Sequence, residues 1–222
     1  MKAIVMLSGG MDSAVTLALA VRKHGADEVL AVTFDYGQRH DREIKAALAL
    51  VKHFNVGHRE VRIDLGQIGG SALTDDRFDV PEHKEDEDIW KKTGSALTYV
   101  PMRNTIFIAL AAAMAEVIGA KEIYTGFNYI DSGGYPDTRP EYVKAMNAAL
   151  ALGSRDKPKV IVPLIEDTKR DIVLRGVALG IPWEVTWACY EGKDKPCGKC
   201  NACVQRKKGF DEAGVWDPLA TA

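Results

Sequence analysis

The sequence predicts an α/β fold, a Rossmann-like parallel sheet with helices on both faces. The first observation is that short apolar runs alternate with segments of helical periodicity, which is typical of strands joined by helical crossovers. The second is the length of 222 residues, which suits a single domain spanning residues 1–222 whose core needs no disulfides. The third is the composition, with 46% hydrophobic and 27% charged residues, which excludes disorder and collagen-like repeats for the whole chain.

The first predicted elements are a strand and a helix joined by a turn. The apolar run at residues 3–7 predicts a buried strand that ends at Ser-Gly-Gly. Residues 12–24 predict a helix, because cations in its last turn suit the negative end of the helix dipole and Gly25 can end it in a left-handed conformation. The same patterns predict strands at 30–34, 60–65, 122–125 and 159–163 and helices at 42–54, 104–119, 141–152 and 169–179.

Residues 66–98 interrupt this alternation. They are rich in Gly, Asp and Glu and show no sustained period, so an irregular stretch is expected. Long irregular stretches in a compact domain are functional lids or solvated loops. Gly66, Gly69, Gly70 and Gly94 favour a lid ordered by ligand, and the acidic run at 85–88 favours a solvated surface loop.

The charge balance indicates which class of ligand the protein binds, and the hydropathy pattern indicates where in the cell it is found. Lys and Arg total 29 against 31 Asp and Glu, so no global positive charge attracts nucleic acid, and a small or nucleotide-sized ligand is expected. The N-terminal apolar run is too short for a signal peptide, and the apolar stretch at 106–118 is shorter than the roughly 20 residues of a membrane span. A cytoplasmic protein with no membrane contact is expected, with its cysteines as thiols or metal ligands.

The turn after the first strand has the composition of a phosphate site. Gly9 and Gly10 let the backbone approach an anion closely, and the free N–H groups of the next helix then point towards it. Ser8 and Ser13 can donate further hydrogen bonds. The alternative is an ordinary strand-to-helix turn capped by Asp12 or Ser13. Neither the G-x-x-x-x-G-K-[ST] nor the G-x-G-x-x-G pattern occurs at this turn.

The four cysteines of the chain form one C-terminal cluster at 189–203. Cys189, Cys197, Cys200 and Cys203 have the spacing C-x7-C-x2-C-x2-C, and four thiolates so close together can close a tetrahedral structural zinc site. An iron–sulfur cluster is the alternative, because it also uses four cysteine ligands. With all four thiols on a metal, no cysteine is left as a glutaminase nucleophile, so ammonia is expected to come from solution.

Several strings of this sequence carry a family resemblance. Ser-Gly-Gly-x-Asp-Ser directly after an N-terminal strand resembles the pyrophosphate loop (PP-loop) of the N-type ATP pyrophosphatases. Polar strings at 34–40, 100–104 and 126–141, together with 186–203, are similar to those of the 7-cyano-7-deazaguanine synthase family, and they occur in the same order from residue 3 to about 217. The departures are Met102 in place of a small residue, Ser-Gly-Gly-Tyr at 132–135 in place of Ser-Gly-Tyr, and Ala188 in place of Ser.

The resemblance implies an adenine nucleotide α-hydrolase-like fold and an ATP-dependent C–N ligase of queuosine biosynthesis. Its substrates would be 7-carboxy-7-deazaguanine, ammonia and ATP with Mg²⁺, and its intermediates an adenylated carboxylate and an adenylated amide. A structural Zn²⁺ and a homodimer are expected. The implied ATP-binding residues are Leu7, Ser8, Gly9, Gly10, Met11, Asp12, Ser13, Ala14, Val15, Thr16 and Leu17. The implied catalytic residues are Asp12, Arg39 and Arg103, and the implied substrate-binding residues are Tyr36, Gln38, Asn104, Asp131, Tyr135, Asp137 and Arg139.

Two other functions compete with this hypothesis. One is a tRNA-thiolating ATP pyrophosphatase, whose cysteines would bear a cluster or a persulfide. Met11, where many such enzymes carry Lys, and the lack of an added RNA-binding domain count against it. The other is a zinc-ribbon module that binds RNA or protein through Arg206-Lys207-Lys208, although such a charge run is more typical of a solvated helix face.

Overall fold

The fold is built on a five-stranded parallel sheet. The computed structural model describes residues 1–128 and 135–220. The strand order is β3-β2-β1-β4-β5, and every neighbouring pair is parallel, which confirms the predicted sheet. The strands are β1 (Ala3–Met6), β2 (Val29–Asp35), β3 (Gly57–Arg62), β4 (Glu122–Tyr124) and β5 (Lys159–Ile161). The helices are α1 (Met11–His24), α2 (Arg42–Phe54), α3 (His83–Thr93), α4 (Arg103–Ile118), α5 (Pro140–Gly153), α6 (Lys169–Ala178) and α7 (Asn201–Ala213).

The central strand β1 is buried on both faces, and successive side chains enter two different cores. Ala3 and Val5 belong to the core formed with α1, α2, α6 and α7. Ile4 and Met6 belong to the core formed with α4 and α5. Because side chains of a strand alternate between faces, this division places helices on both sides of the sheet, as predicted.

The strand order changes direction beside β1. The chain runs outwards from β1 through β2 to β3, then crosses to β4 on the other side of β1. A ligand crevice forms at such a switch point, outside the carboxyl ends of the strands. The turn after β1 and the residues after β4 therefore meet at the edge where a site is expected.

Two predicted features of the chain are wrong in part. Residues 83–93 form α3 where an irregular stretch was expected; most of its residues are charged and its two large apolar residues are adjacent, so the sequence gave no apolar periodicity. The strand expected at 60–65 lies at Gly57–Arg62 instead. Its register is set by hydrogen bonds to β2, with Gly57 opposite Leu30, and not by the later apolar alternation that suggested the shifted bounds.

The basic run on α7 is not a continuous solvated face. Arg206 is buried: its guanidinium binds the Asp217 carboxylate at 2.8 Å and donates to the Thr186 hydroxyl at 2.7 Å. Lys207 and Lys208 are exposed. The expectation of a solvated face or a basic patch is therefore wrong for Arg206, which fastens α7 to the segments on either side of it.

Candidate functional site

The turn between β1 and α1 is held open at the switch point. Gly9 has φ of 85°, and a Cβ there would lie 2.3 Å from the Glu43 carbonyl oxygen on α2. A Cβ at Gly126, just after β4, would lie 2.9 Å from the backbone of Ser13. Larger residues would therefore push the neighbouring segments off the turn, which explains why both positions are glycine.

Among residues 1–128 and 135–220, no side chain caps α1. Its N-cap is Gly10, and neither Asp12 nor Ser13 accepts a capping hydrogen bond, so the ordinary capped turn is the wrong interpretation. The Ser13 hydroxyl instead lies 3.1 Å from the Ser8 hydroxyl and donates to the Gly10 carbonyl at 3.0 Å. The first N–H groups of α1 are left for an anion, which the helix dipole would also favour.

A buried lysine that the sequence did not single out lies against this turn. Lys169, at the start of α6, is 9% exposed, and its ammonium lies 2.5 Å from Asp12 Oδ2. Asp12 Oδ1 is buried and has no hydrogen-bond partner among the described residues. The available sequence signal was the capping box of Thr168 and Asp171, which fixes the helix start and so the position of the lysine.

A cavity of about 330 Å³ opens in front of the turn. It is bounded by the carboxyl ends of β2 and β4, the start of α4 and the segment that precedes the first cysteine. This volume lies at the lower end of the range for small-molecule sites. The polar side chains that line it are Ser8, Asp12, Ser13, Thr33, Tyr36, Gln38, Glu43, Arg103, Asn104, Thr125, Asn128, Tyr135, Thr138, Lys169, Tyr190, Asn201, Gln205 and Arg206.

Arg103 is presented to the cavity by the first turn of α4. Its guanidinium donates to the Tyr36 hydroxyl at 3.2 Å and lies 5.5 Å from the centre of that ring. Burial raises the pKa of Tyr36 to about 12, so the phenol stays neutral. Met102 before it has φ of 56°, a left-handed conformation that explains why the family resemblance led us to expect a small residue there.

Some of the remaining predicted substrate-binding residues line the cavity and others do not. Gln38, Asn104 and Tyr135 line it. Asp137 lies behind Asn104, and its Oδ2 accepts a hydrogen bond from the Asn104 backbone N–H at 3.3 Å. Burial raises the pKa of Asp137, although Arg103 opposes this rise. The predicted residue Asp131 lies outside the described residues.

Two arginines of the predicted site do not line the cavity. Arg39 donates to backbone carbonyls of Ala72, at 2.5 Å, and of Asp75, at 3.1 Å, and so holds the chain at 72–75 against the domain. Arg139 is exposed and precedes α5. Of the predicted ATP-binding residues, Gly9 and those from Ala14 to Leu17 do not line the cavity, and the side chains of Ala14, Val15 and Leu17 are in the core.

Glu43 is a second cavity residue that sequence reasoning missed. It lies in the first turn of α2, and burial raises the pKa of its carboxyl group to about 7. The Cys189 thiolate also raises this pKa, whereas Arg103 lowers it. No motif marks the position, because its relevance depends on how α2 packs against Gly9.

The four cysteines lie together at the end of the domain. Their sulfur atoms all lie within 4.8 Å of one another, and Cys197 Sγ is 3.9 Å from Cys203 Sγ. Bonds of about 2.3 Å from a tetrahedral metal ion would place sulfurs roughly 3.8 Å apart, so the cluster fits one ion. The backbone N–H of Cys197 donates to Cys189 Sγ at 3.3 Å, which suits a thiolate.

The segment that carries the cysteines directly contacts the turn at Ser8–Ser13. The Trp187 backbone N–H donates to the Gly9 carbonyl at 2.9 Å, and its indole N–H donates to the Cys189 carbonyl at 2.9 Å. The Arg42 guanidinium lies 5.3 Å from the centre of the Trp187 ring. One tryptophan therefore links the first cysteine to the turn.

Residues 66–98 also contact the cysteine segment. Glu82 forms an isolated antiparallel bridge with Cys200, and the His83 backbone N–H donates to the Lys199 carbonyl at 3.0 Å. Ser71 and Ala72 are fully buried. The stretch is therefore attached to the domain at more than one point.

Among the described residues, no helix is both long enough and apolar enough to cross a membrane.

Comparisons with known proteins identify the family. The profile of the family "Queuosine biosynthesis protein QueC" matches residues 2–214. Proteins named 7-cyano-7-deazaguanine synthase from Thermoplasma acidophilum and Nostoc punctiforme are 50% and 43% identical, over 98% and 100% of this chain and 91% and 100% of theirs. The solved structure of a 4-thiouridine synthetase in complex with RNA and ATP matches with a TM-score of 0.51 at 19% identity, over 96% of this chain and 50% of its own, and shows the fold alone. The chain therefore belongs to the QueC family of queuosine biosynthesis proteins.

Proposed function

We propose that this enzyme converts 7-carboxy-7-deazaguanine and ammonia into 7-cyano-7-deazaguanine in queuosine biosynthesis, with cleavage of ATP to AMP and pyrophosphate. The observation that carries the proposal is the uncapped turn at Ser8–Ser13, which opens into the same cavity as Arg103. The family of the chain and the names of its relatives support the same substrate.

The chemistry explains why one cavity needs both a phosphate site and a carboxylate site. A carboxylate reacts poorly with ammonia because its oxygen is a poor leaving group. Adenylation converts that oxygen into a good leaving group, and attack by ammonia then gives the amide. A second adenylation, on the amide oxygen, lets the carbon–oxygen bond break and the nitrile form. The protein's work is positioning and charge stabilisation.

The ATP phosphates would lie on the free N–H groups at the start of α1. Lys169 lies beside this position, and its buried ammonium adds positive charge where the β and γ phosphates would be. The buried oxygen Asp12 Oδ1 has no partner among the described residues and is a hard ligand of the kind that Mg²⁺ prefers. We assign Asp12 to hold the metal that accompanies ATP.

The carboxylate of the deazapurine would pair with Arg103. Its planar guanidinium suits a bidentate carboxylate, and its one hydrogen bond to a described side chain goes to Tyr36. Asn104 and Gln38 line the same space and can contact the ring. Arg39, Asp131, Asp137 and Arg139 stay predictions, and Arg39 would first have to release the carbonyls at 72–75.

Replacing Arg103 with lysine is expected to lower kcat/KM for the deazapurine about 100-fold, because the charge is kept but the paired hydrogen bonds are lost. The KM for ATP should change little. Steady-state kinetics with each substrate varied in turn would measure both values. Arg59→Lys is the matched control, since Arg59 is exposed on the edge strand β3. Equal kinetic constants for Arg103→Lys and the wild type would contradict the assignment.

The cysteine cluster would hold one structural Zn²⁺. Its sulfur separations suit a single tetrahedral ion, and none of the four cysteines is among the described residues that line the cavity. An iron–sulfur cluster is the alternative, and elemental analysis separates the two. With four thiols on the metal, the ammonia would come from solution.

The stretch at 66–98 is proposed as a lid, because an adenylate exposed to water would hydrolyse between the two activations. Hydrogen exchange should show new protection between residues 76 and 95 when ATP and the deazapurine are both bound. Residues 71 and 72 are the internal reference, since they are already buried. Identical exchange with and without ligands would contradict the lid.

The whole proposal is tested by incubating the purified protein with 7-carboxy-7-deazaguanine, ATP, Mg²⁺ and ammonium and then measuring the product mass. The nitrile together with AMP is the expected result. A parallel reaction with unmodified tRNA and a sulfur donor tests the thiolating alternative, for which no product is expected. The proposed homodimer is checked by light scattering of the same sample, and the proposed cytoplasmic location by fractionation of cells.

A further inference from the structure

The cavity holds few groups that could accept a proton. Of the described residues that line it, the acidic ones are Asp12 and Glu43, and no histidine is among them. Asp12 Oδ2 is already bound to Lys169 at 2.5 Å. Burial raises the pKa of Tyr36 to about 12, which is too high for a base at neutral pH. Among the described residues that line the cavity, Glu43 is therefore the side chain that remains available to accept a proton.

Glu43 is fixed in place by its backbone, while its carboxylate has no hydrogen-bond or ion-pair partner among the residues that the structure describes. A Cβ at Gly9 would come within 2.3 Å of the Glu43 carbonyl oxygen, so the first turn of α2 packs directly on the phosphate turn. Within the described part of the chain, the carboxylate makes no hydrogen bond and no ion pair, and the side chain is only half-buried. Such a group can meet a ligand without breaking a protein contact.

The charge near Glu43 suits a group that changes protonation during the reaction. Arg103 lines the same cavity and favours the carboxylate form, whereas burial favours the neutral acid. These effects oppose each other, so neither form is strongly preferred at neutral pH. A general base is most efficient when its pKa lies near the working pH.

We propose that Glu43 is the general base that removes protons from the nitrogen in both halves of the reaction, an inference that rests on the proposed function. In the first half, ammonia attacks the carbonyl carbon of the acyl adenylate and a carbon–nitrogen bond forms. The nitrogen passes its surplus proton to the Glu43 carboxylate. The carbon–oxygen bond then breaks, AMP leaves with the electron pair, and the amide remains. Glu43 returns the proton to water.

The second half needs two further proton transfers. After ATP adenylates the amide oxygen, with release of pyrophosphate, the nitrogen loses one proton to give a neutral adenylated imidate. Loss of the second proton accompanies departure of AMP with the carbon–oxygen electron pair, and the carbon–nitrogen triple bond forms. Glu43 accepts each proton in turn and exchanges it with water between steps. The adenylation steps themselves require no proton on Glu43.

The test compares adenylation with nitrile formation in Glu43→Gln. Adenylation alone is measured, in the absence of ammonium, as exchange of labelled pyrophosphate into ATP that depends on 7-carboxy-7-deazaguanine. We expect this exchange to stay within about twofold of wild type, while nitrile formation falls about 100-fold or more. Glu43→Asp keeps a carboxylate and should recover part of the lost rate. Glu141→Gln is the control, since Glu141 is an exposed acid in the first turn of α5.

Each outcome distinguishes this proposal from the one on which it rests. Absence of deazapurine-dependent exchange in the wild type would overturn the proposed function itself. Wild-type exchange with normal nitrile formation in Glu43→Gln would overturn the role of Glu43 alone. Equal loss of exchange and nitrile formation in both Glu43 variants would also overturn it, because Glu43 would then support binding or folding. Circular dichroism and metal content establish that each variant is folded.

Discussion

Replacing Asp12 with alanine is expected to abolish turnover while the chain still folds. The substitution removes the proposed Mg²⁺ ligand and also the carboxylate that binds Lys169 at 2.5 Å beside the proposed phosphate position. Loss of one group that stabilises transition-state charge typically costs about 10²–10³ in kcat, and here two effects combine. The measurement is AMP release under saturating substrates, with circular dichroism to follow the fold.

The controls for Asp12 separate chemistry from stability. Asp12→Asn keeps the size of the side chain and should lose turnover almost as fully, since an amide oxygen is a weaker ligand than a carboxylate. Asp27→Ala removes an exposed acid just after α1 and should leave turnover unchanged. Wild-type AMP release by Asp12→Ala would disprove the assignment of the turn.

The Cys200→Ser variant is expected to lose its metal and much of its stability. Metal binding at four-thiolate sites contributes to folding directly, on the order of 10 kcal/mol in small zinc peptides. The backbone of Cys200 also forms the bridge to Glu82, which directly precedes α3. Loss of the metal should therefore loosen α3 as well. Thermal unfolding and zinc analysis would measure both effects, and the surviving folded protein should lose less in chemistry than in stability.

Lys195→Ser is the matched control, because Lys195 is exposed between the first two cysteines and its replacement removes no sulfur. It should retain one zinc ion per chain and the wild-type melting temperature. A brown protein that contains iron and sulfide would contradict the zinc assignment. Unchanged melting of Cys200→Ser would show that the cluster does not support the fold.

The sequence predicted those parts of the fold and site that are encoded locally. The turn at Ser8–Ser13 and the apolar run before it lie within a few residues of each other, so spacing alone predicts their arrangement. The cysteine cluster is similar, because its members span a short segment. The parallel sheet followed from alternation along the chain, and the structure confirms it.

Lys169 and Glu43 could not be predicted in the same way. Each lies on a helix outside the segment of the turn, and each reaches the cavity only because α6 packs against α1 and α2 packs against the turn. Arg39 is the opposite case, because the sequence predicted it in the site and the structure directs it elsewhere. It follows a strand at the expected edge of the sheet, but its guanidinium binds the backbone carbonyls of Ala72 and Asp75. A side chain's direction depends on tertiary partners that spacing does not reveal.

The hydrogen bond from Trp187 to Gly9 connects the cysteine cluster to the turn at Ser8–Ser13. If the metal stabilises the conformation of Trp187 that supports the turn, then the nucleotide must stabilise metal binding by the same free energy, because coupling between sites is reciprocal. Protein saturated with ATP should then need a higher chelator concentration before half of its metal is removed at equilibrium. Cellular nucleotide would in this way protect the enzyme against metal loss as well as serve as its substrate.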